Sequence, residues 1–227
     1  MKWLTTFFGS SIGKKLLMSL TGLFLILFLL IHLIGNLQLL KNDGGMSFNI
    51  YAKLMTTNPL IKFISYGNYF FILLHAFIGI SLALYNRTAK GQKYAVSSNN
   101  KTSWASKNMA LLGTLILAFI FIHMGDFWLK MKLDQLPMVT YPGLEGEIKD
   151  LYFSVNETFK QPLFVGLYVI GMIILAFHLQ HGFQSAFQTL GINHKKYTPI
   201  IKTIGVAYAI LVPLGFAIIP IWHFLMK

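Results

Sequence analysis

Apolar residues do not alternate with polar ones along this chain; they gather into five long stretches, at about residues 16–40, 60–84, 109–129, 163–187 and 201–225. Each is near or above the roughly 20 residues that carry a helix across a bilayer core. The first is interrupted only by small or amide residues and His32. Lys2, Lys14 and Lys15 precede it as in a signal peptide, but it is far longer than the ~7–15-residue apolar core of one and lacks a small-residue cleavage site, so it reads as a retained first helix. The pattern predicts an all-α integral membrane protein of five transmembrane helices, forming one membrane domain over residues 1–227. A smaller pattern lies between the third and fourth stretches. There Ile148, Leu151, Tyr152, Val155 and Phe159 recur at helical spacing, predicting a short amphipathic helix that lies on the outer interface or in a solvated loop.

Composition agrees, because 55% hydrophobic and 11% charged residues suit a chain whose solvent is mostly lipid. The net charge of +12 would suit a nucleic-acid partner, yet the basic residues sit in short loops between apolar stretches, so no such partner is expected. Charge instead reports sidedness. All seven acids fall either at Asp43 or between Asp126 and Glu157. The N-terminus (Lys2, Lys14, Lys15), the second loop (Arg87, Lys90, Lys93, Lys101, Lys107) and the fourth (Lys195, Lys196, Lys202) carry only bases. The positive-inside rule puts these three in the cytoplasm. The chain then sits in the cytoplasmic (inner) membrane with its N-terminus inside and its C-terminus outside, as five spans require.

Cysteine is absent, which excludes disulfides, iron–sulfur ligation by this chain and thioether-attached haem. Histidine is the informative residue. A neutral imidazole in hydrocarbon must hydrogen-bond or ligate, so a histidine within a span suggests function, although a packed His bonded to a neighbouring helix is the plain alternative for any single one. Four of the seven histidines occur one per helix. His32 and His123 lie near the ends of the outward-running first and third helices; His75 and His178 lie past the midpoints of the inward-running second and fourth. Two pairs at two depths on four helices is what two six-coordinate haems stacked in a four-helix bundle require. The first four helices are thus expected to form a haem-binding bundle, with His32 and His123 on an outer iron and His75 and His178 on an inner one. Gly79 and Gly182 follow His75 and His178 at i+4, and Gly35 and Gly125 follow the outer ligands at i+3 and i+2, leaving bare backbone for a flat ring. His181, close to one turn from His178, is the alternative ligand or a contact for a haem propionate. His178 is preferred because Gly182 falls on its face. His194 and His223 are assigned no iron.

The segments L-I-H-L-I-G-N at His32, L-L-H-A-F-I-G-I at His75, I-F-I-H-M-G-D at His123 and A-F-H-L-Q-H-G-F at His178 together resemble the di-haem, single-polypeptide, five-helix cytochrome b anchor of succinate:quinone oxidoreductases. The likeness covers nearly the whole length. It implies two haem b groups, and a complex with a flavoprotein carrying FAD and an iron–sulfur protein that interconvert succinate and fumarate on the cytoplasmic side. This chain would anchor them and pass electrons between the clusters and membrane quinone; the dicarboxylate active site would lie elsewhere. One departure stands out. Some di-haem members that couple quinol oxidation to proton movement carry an acid two positions before the fourth-helix ligand, where this chain has Ala176, and Asp43 is the only acid between its first two helices. Proton compensation of that kind is not expected.

For the quinone, groups able to bond a carbonyl or exchange a proton near a haem are Asn36, at i+4 from His32, and Asp126, at i+3 from His123. Arg87 and Lys93 are the candidate propionate contacts, against the simpler reading of the basic loops as a topology signal. Two alternatives remain. One is the cytochrome b subunit of a membrane hydrogenase or formate dehydrogenase, which fits the one-per-helix spacing less well. The other is a haem-free transporter or structural protein whose histidines relay protons or pack.

Overall fold

The structure, a computed structural model, describes residues 2–89 and 103–226. Lys93, a candidate propionate contact, lies outside the described residues. A short helix α1 (Lys2–Gly9) leads into α2 (Ser11–Asn36), which tightens into a 3-10 turn at Leu37–Leu40. Then come α3 (Met46–Thr57), α4 (Pro59–Ala89), α5 (Trp104–Lys107) and α6 (Met109–His123). The last passes into a π-helical turn, Met124–Leu129, and a final turn α7 (Lys130–Lys132). Two short strands, β1 (Met138–Val139) and β2 (Ile148–Lys149), pair antiparallel ahead of α8 (Leu151–Phe159), α9 (Pro162–Thr189) and α10 (Thr198–Met226).

Among the described residues, five helices are long and apolar enough to cross a membrane: Ser11–Leu40, Pro59–Thr88, Met109–Lys132, Pro162–Thr189 and Thr198–Met226. The protein is an all-α, multi-pass integral membrane protein. Each helix outruns its apolar stretch. At the start of α2 Ser10 accepts the Gly13 amide at 3.0 Å, while Pro162 opens α9 where its missing N–H costs nothing. Only 6–33% of the most apolar window of each span is buried inside the protein, so most of that surface faces outward, where lipid is the solvent it suits.

The spans pack as a square. α2 neighbours α4, α4 neighbours α6, α6 neighbours α9, and α9 returns to α2, while α10 lies outside along the α9–α2 edge. Bare backbone lets the helices close on one another. A side chain at Gly171 of α9 would collide with Phe119 of α6, and one at Gly205 of α10 with Phe183 of α9. Tyr208 of α10 donates its hydroxyl to the Ile26 carbonyl of α2.

One end of the square is capped by the first and third loops. α3, β2 and α8 pack together there, and the apolar face of α8 turns inward. Tyr152, Val155 and Phe159 are buried against Leu39, Phe48, Tyr168 and Ile219. The amphipathic helix therefore exists, but it rests on neither lipid nor solvent: α3 and the end of α10 cover its apolar side. Its predicted first turn is also different, because Ile148 pairs in β2 and Asp150 caps the helix by accepting the Phe153 amide at 2.9 Å.

The cap is pinned by Asn49, a polar side chain only 1% exposed. Its amide nitrogen donates to the Tyr141 hydroxyl and the Asp150 carboxylate, each at 2.8 Å, and its oxygen accepts the Tyr152 amide at 3.0 Å. Gly45, entering α3 at φ 86°, lies so close to the Tyr152 ring that no side chain fits there. Nearby, slight burial opposes ionisation of Asp43, but hydrogen bonds from Ser47 and from the Gly45 amide, with Lys41 adjacent, hold its carboxyl below the usual range.

Replacing Asn49 by Ala leaves buried partners unsatisfied and should destabilise the protein by about 2 kcal/mol, read as a lower unfolding midpoint in detergent. A depressed carboxyl stabilises the fold above its unfolded pKa and ceases to as pH falls through its folded one. The first amides of α3 should therefore lose protection against hydrogen exchange in acid, once the intrinsic pH dependence of exchange is divided out, and Asp43→Asn should remove that loss.

Candidate functional site

The four span histidines meet across the diagonals of the square. His32 on α2 faces His123 on α6 with ring centroids 5.8 Å apart and planes at 88°. His75 on α4 faces His178 on α9 at 6.3 Å and 71°. Neither pair joins helices that are neighbours in the square. The first pair lies toward the capped end and the second toward the opposite one, following the antiparallel run of the helices. All four residues are partly buried.

The pairs have different surroundings. The pair near the cap is wrapped in aromatic rings: Phe28 stacks on His32 at 5.2 Å and Phe216 of α10 lies 5.6 Å away, while Phe119, Phe127 and Tyr168 lie 5.4–6.0 Å from His123. The other pair is flanked by small residues. A Cβ on Gly22 would stand 3.4 Å from His75 Cε1, and one on Gly113 would stand 3.8 Å from His178 Cε1. Thr21 Oγ1 is 3.0 Å from His75 Nδ1. The Nδ1 atoms of His123 and His178 are buried with no hydrogen-bond partner among the described residues.

Such a set fits a planar metallocofactor. Two imidazoles opposed across a bundle interior supply one nitrogen each from opposite sides, and unsatisfied imidazole nitrogen in hydrocarbon is costly unless it ligates or bonds. The ring opposed to His75 is that of His178; among the described residues His181, one turn farther, makes no ring contact with it.

Asn36 lies over His32 of its own helix, donating from Nδ2 to the His32 carbonyl at 2.7 Å, with the same nitrogen 3.3 and 3.4 Å from the two ring nitrogens. Asp126 sits in the π turn directly after His123, where its Oδ2 accepts the Tyr168 hydroxyl at 2.9 Å. Tyr168 thereby links Asp126 to the His123 ring. Wide turns of this kind recur at functional sites because they re-aim side chains. Arg87 is not brought into the site: it is exposed in the last turn of α4, about 18 Å along the helix from His75. His194 is exposed in the fourth loop, and His223 is buried at the cap with Nδ1 against Asn156.

The glycines divide. Gly35 faces the Tyr51 ring, which a side chain would strike, so its bareness admits α3 rather than a ligand. Gly79 faces Met18 of α2, and around Gly125 and Gly182 nothing lies within 4 Å of an added Cβ. The glycines that stand beside the paired imidazoles, Gly22 and Gly113, belong to different helices from those rings. Spacing along one helix gives no signal for them, or for Thr21. Phe28, Phe119 and Phe127 did have one, since each stands four residues from His32 or His123 on its own helix.

Against models of protein families, curated proteins and solved structures, the chain finds no match.

Replacing Tyr168, which is 6% exposed, by Phe removes the donor to Asp126 while keeping the ring. It should cost about 1–3 kcal/mol, visible as a lower unfolding midpoint in detergent, with Asp126→Asn recovering little because the donor is still missing.

Proposed function

We propose that this chain is the di-haem cytochrome b anchor of a succinate:quinone oxidoreductase, the complex that interconverts succinate and fumarate at the expense of membrane quinone. The observation that carries the reading is the diagonal pairing: four histidines from four spans oppose one another two by two, at two levels of one bundle. In this reading His32 and His123 hold one haem b, and His75 and His178 the other. His181 lies one turn beyond His178, where it contacts a propionate. When bound, haem iron supplies reversible one-electron exchange.

The chain's own residues supply position and surroundings. The aromatic shell of Phe28, Phe119, Phe127 and Phe216 excludes water around the first pair, and Gly22 and Gly113 leave room beside the second. The quinone belongs at the capped end, where Asn36 and the Tyr168–Asp126 pair place an amide, a hydroxyl and a carboxylate next to the His32 and His123 rings. There Asn36 Nδ2 is the donor to a quinone carbonyl, and Asp126, held by the Tyr168 hydroxyl, exchanges the proton.

Charge supplies the orientation. The purely basic N-terminus and second and fourth loops face the cytoplasm of an inner membrane, where the flavoprotein and iron–sulfur subunits dock, and the capped end faces outward. The His75–His178 pair is then the one nearer those subunits.

A pyridine haemochrome assay and a reduced-minus-oxidised spectrum on the purified full chain should give two b haems per chain; none would sink the reading. His32→Ala and His123→Ala should each remove one haem, and His75→Ala and His178→Ala the other. If His178→Ala kept both haems while His181→Ala lost one, the fourth ligand would be His181. Co-purified flavin and iron–sulfur clusters with succinate:quinone reductase activity would assign the complex, whereas a hydrogenase or formate dehydrogenase partner would overturn that assignment.

A further inference from the structure

Of the four opposed imidazoles, one has its proton placed by a neighbour. Thr21, a buried residue of α2, sits with its Oγ1 2.8 Å from the Leu17 carbonyl and 3.1 Å from that of Met18, on its own helix, and 3.0 Å from Nδ1 of His75 on α4. A hydroxyl has one proton. Two oxygens at 2.8 Å with no proton between them repel, so the hydroxyl donates back to Leu17, as threonine does in membrane helices. The oxygen lone pair then faces His75, and the contact is a hydrogen bond only if Nδ1 carries the imidazole proton. Nε2 is left as the unprotonated nitrogen, the form that ligates a metal.

The other three rings lack this device. Nδ1 of His123 and of His178 has no partner among the described residues. Asn36 Nδ2 stands almost equally far from both nitrogens of His32, at 3.3 and 3.4 Å, and so selects neither.

We infer that Thr21 is a positioning residue that fixes the Nδ1–H tautomer of His75 and, by accepting that proton in a hydrogen bond, makes its Nε2 the most electron-donating of the four imidazole nitrogens that would hold haem. The inference rests on the haem reading above and deepens it, because it makes the two haems unequal through one hydroxyl. A stronger donor favours ferric over ferrous iron, so Thr21 holds the potential of the His75–His178 haem down.

The test is an optical redox titration of the purified full chain in three forms: wild type, Thr21→Val and Thr21→Ser. Valine keeps the shape and removes the acceptor; serine restores it. Thr21→Val should retain two haems and raise one midpoint potential by roughly tenfold in its reduction equilibrium, about 59 mV for one electron, leaving the other in place. Thr21→Ser should return the wild-type value. Loss of one haem in Thr21→Val that Thr21→Ser recovers also supports the inference, as weakened ligation. Two haems with unmoved midpoints in Thr21→Val overturn it while leaving the haem reading intact, as does a shift or loss that Thr21→Ser shares. A wild-type protein without haem overturns the haem reading itself, and this inference with it.

Discussion

An imidazole inside a span has no water to satisfy it, and the architecture is organised around that demand. Each of α2, α4, α6 and α9 carries one histidine in its membrane stretch, and each of these rings turns to the interior of the square, where it meets the ring of the diagonally opposite helix. Pairing across diagonals needs all four helices at once. Antiparallel packing then separates the two pairs along the bundle without any further instruction, because His32 and His123 lie late in helices that run one way and His75 and His178 lie just past the midpoints of helices that run the other.

The same scarcity of water explains the cap. At the end carrying the acids, loops leave the helical ladder and must hide backbone and side-chain polar groups in an apolar setting. Asn49 satisfies three partners, Tyr141 between the two strands and Asp150 and Tyr152 at the start of α8, and α8 is drawn down onto the bundle by Tyr152, Val155 and Phe159. The result is a packed cap at the His32–His123 end of the bundle, continuous with the Asp126–Tyr168 hydrogen bond. The opposite pair has no comparable cap among the described residues; its neighbours are Gly22, Gly113 and Thr21 on facing helices. Two chemically similar histidine pairs therefore experience different surroundings, and in the proposed function this difference is what separates the quinone-reactive end from the end that meets partner subunits.

Much of this could be read directly from the chain, because lipid imposes simple rules. A helix must satisfy its own backbone in hydrocarbon, so five apolar stretches mean five helices. Helix direction alternates, so the depth of each histidine follows from its place in its stretch. The i, i+3, i+4 spacing of Leu151, Tyr152, Val155 and Phe159 revealed a helix in the third loop, but not what covers it, since an apolar face looks the same whether lipid or protein lies against it. Gly35 shows the same limit: bare backbone is legible, its neighbour is not, and Tyr51 of α3 occupies the space.

What the sequence determined by itself is the set of elements: the spans, their alternating direction, and which histidines lie within hydrocarbon at which depth. These depend on composition and on helical periodicity, both properties of local chain. Only the tertiary structure decided which helices are neighbours and which are diagonal, that His178 rather than His181 opposes His75, and that Thr21 and Gly22 of α2 stand beside a ring on α4. Contacts between helices depend on crossing angle and rotation, which are set by how side chains of separate segments interlock, and no spacing along one helix encodes that.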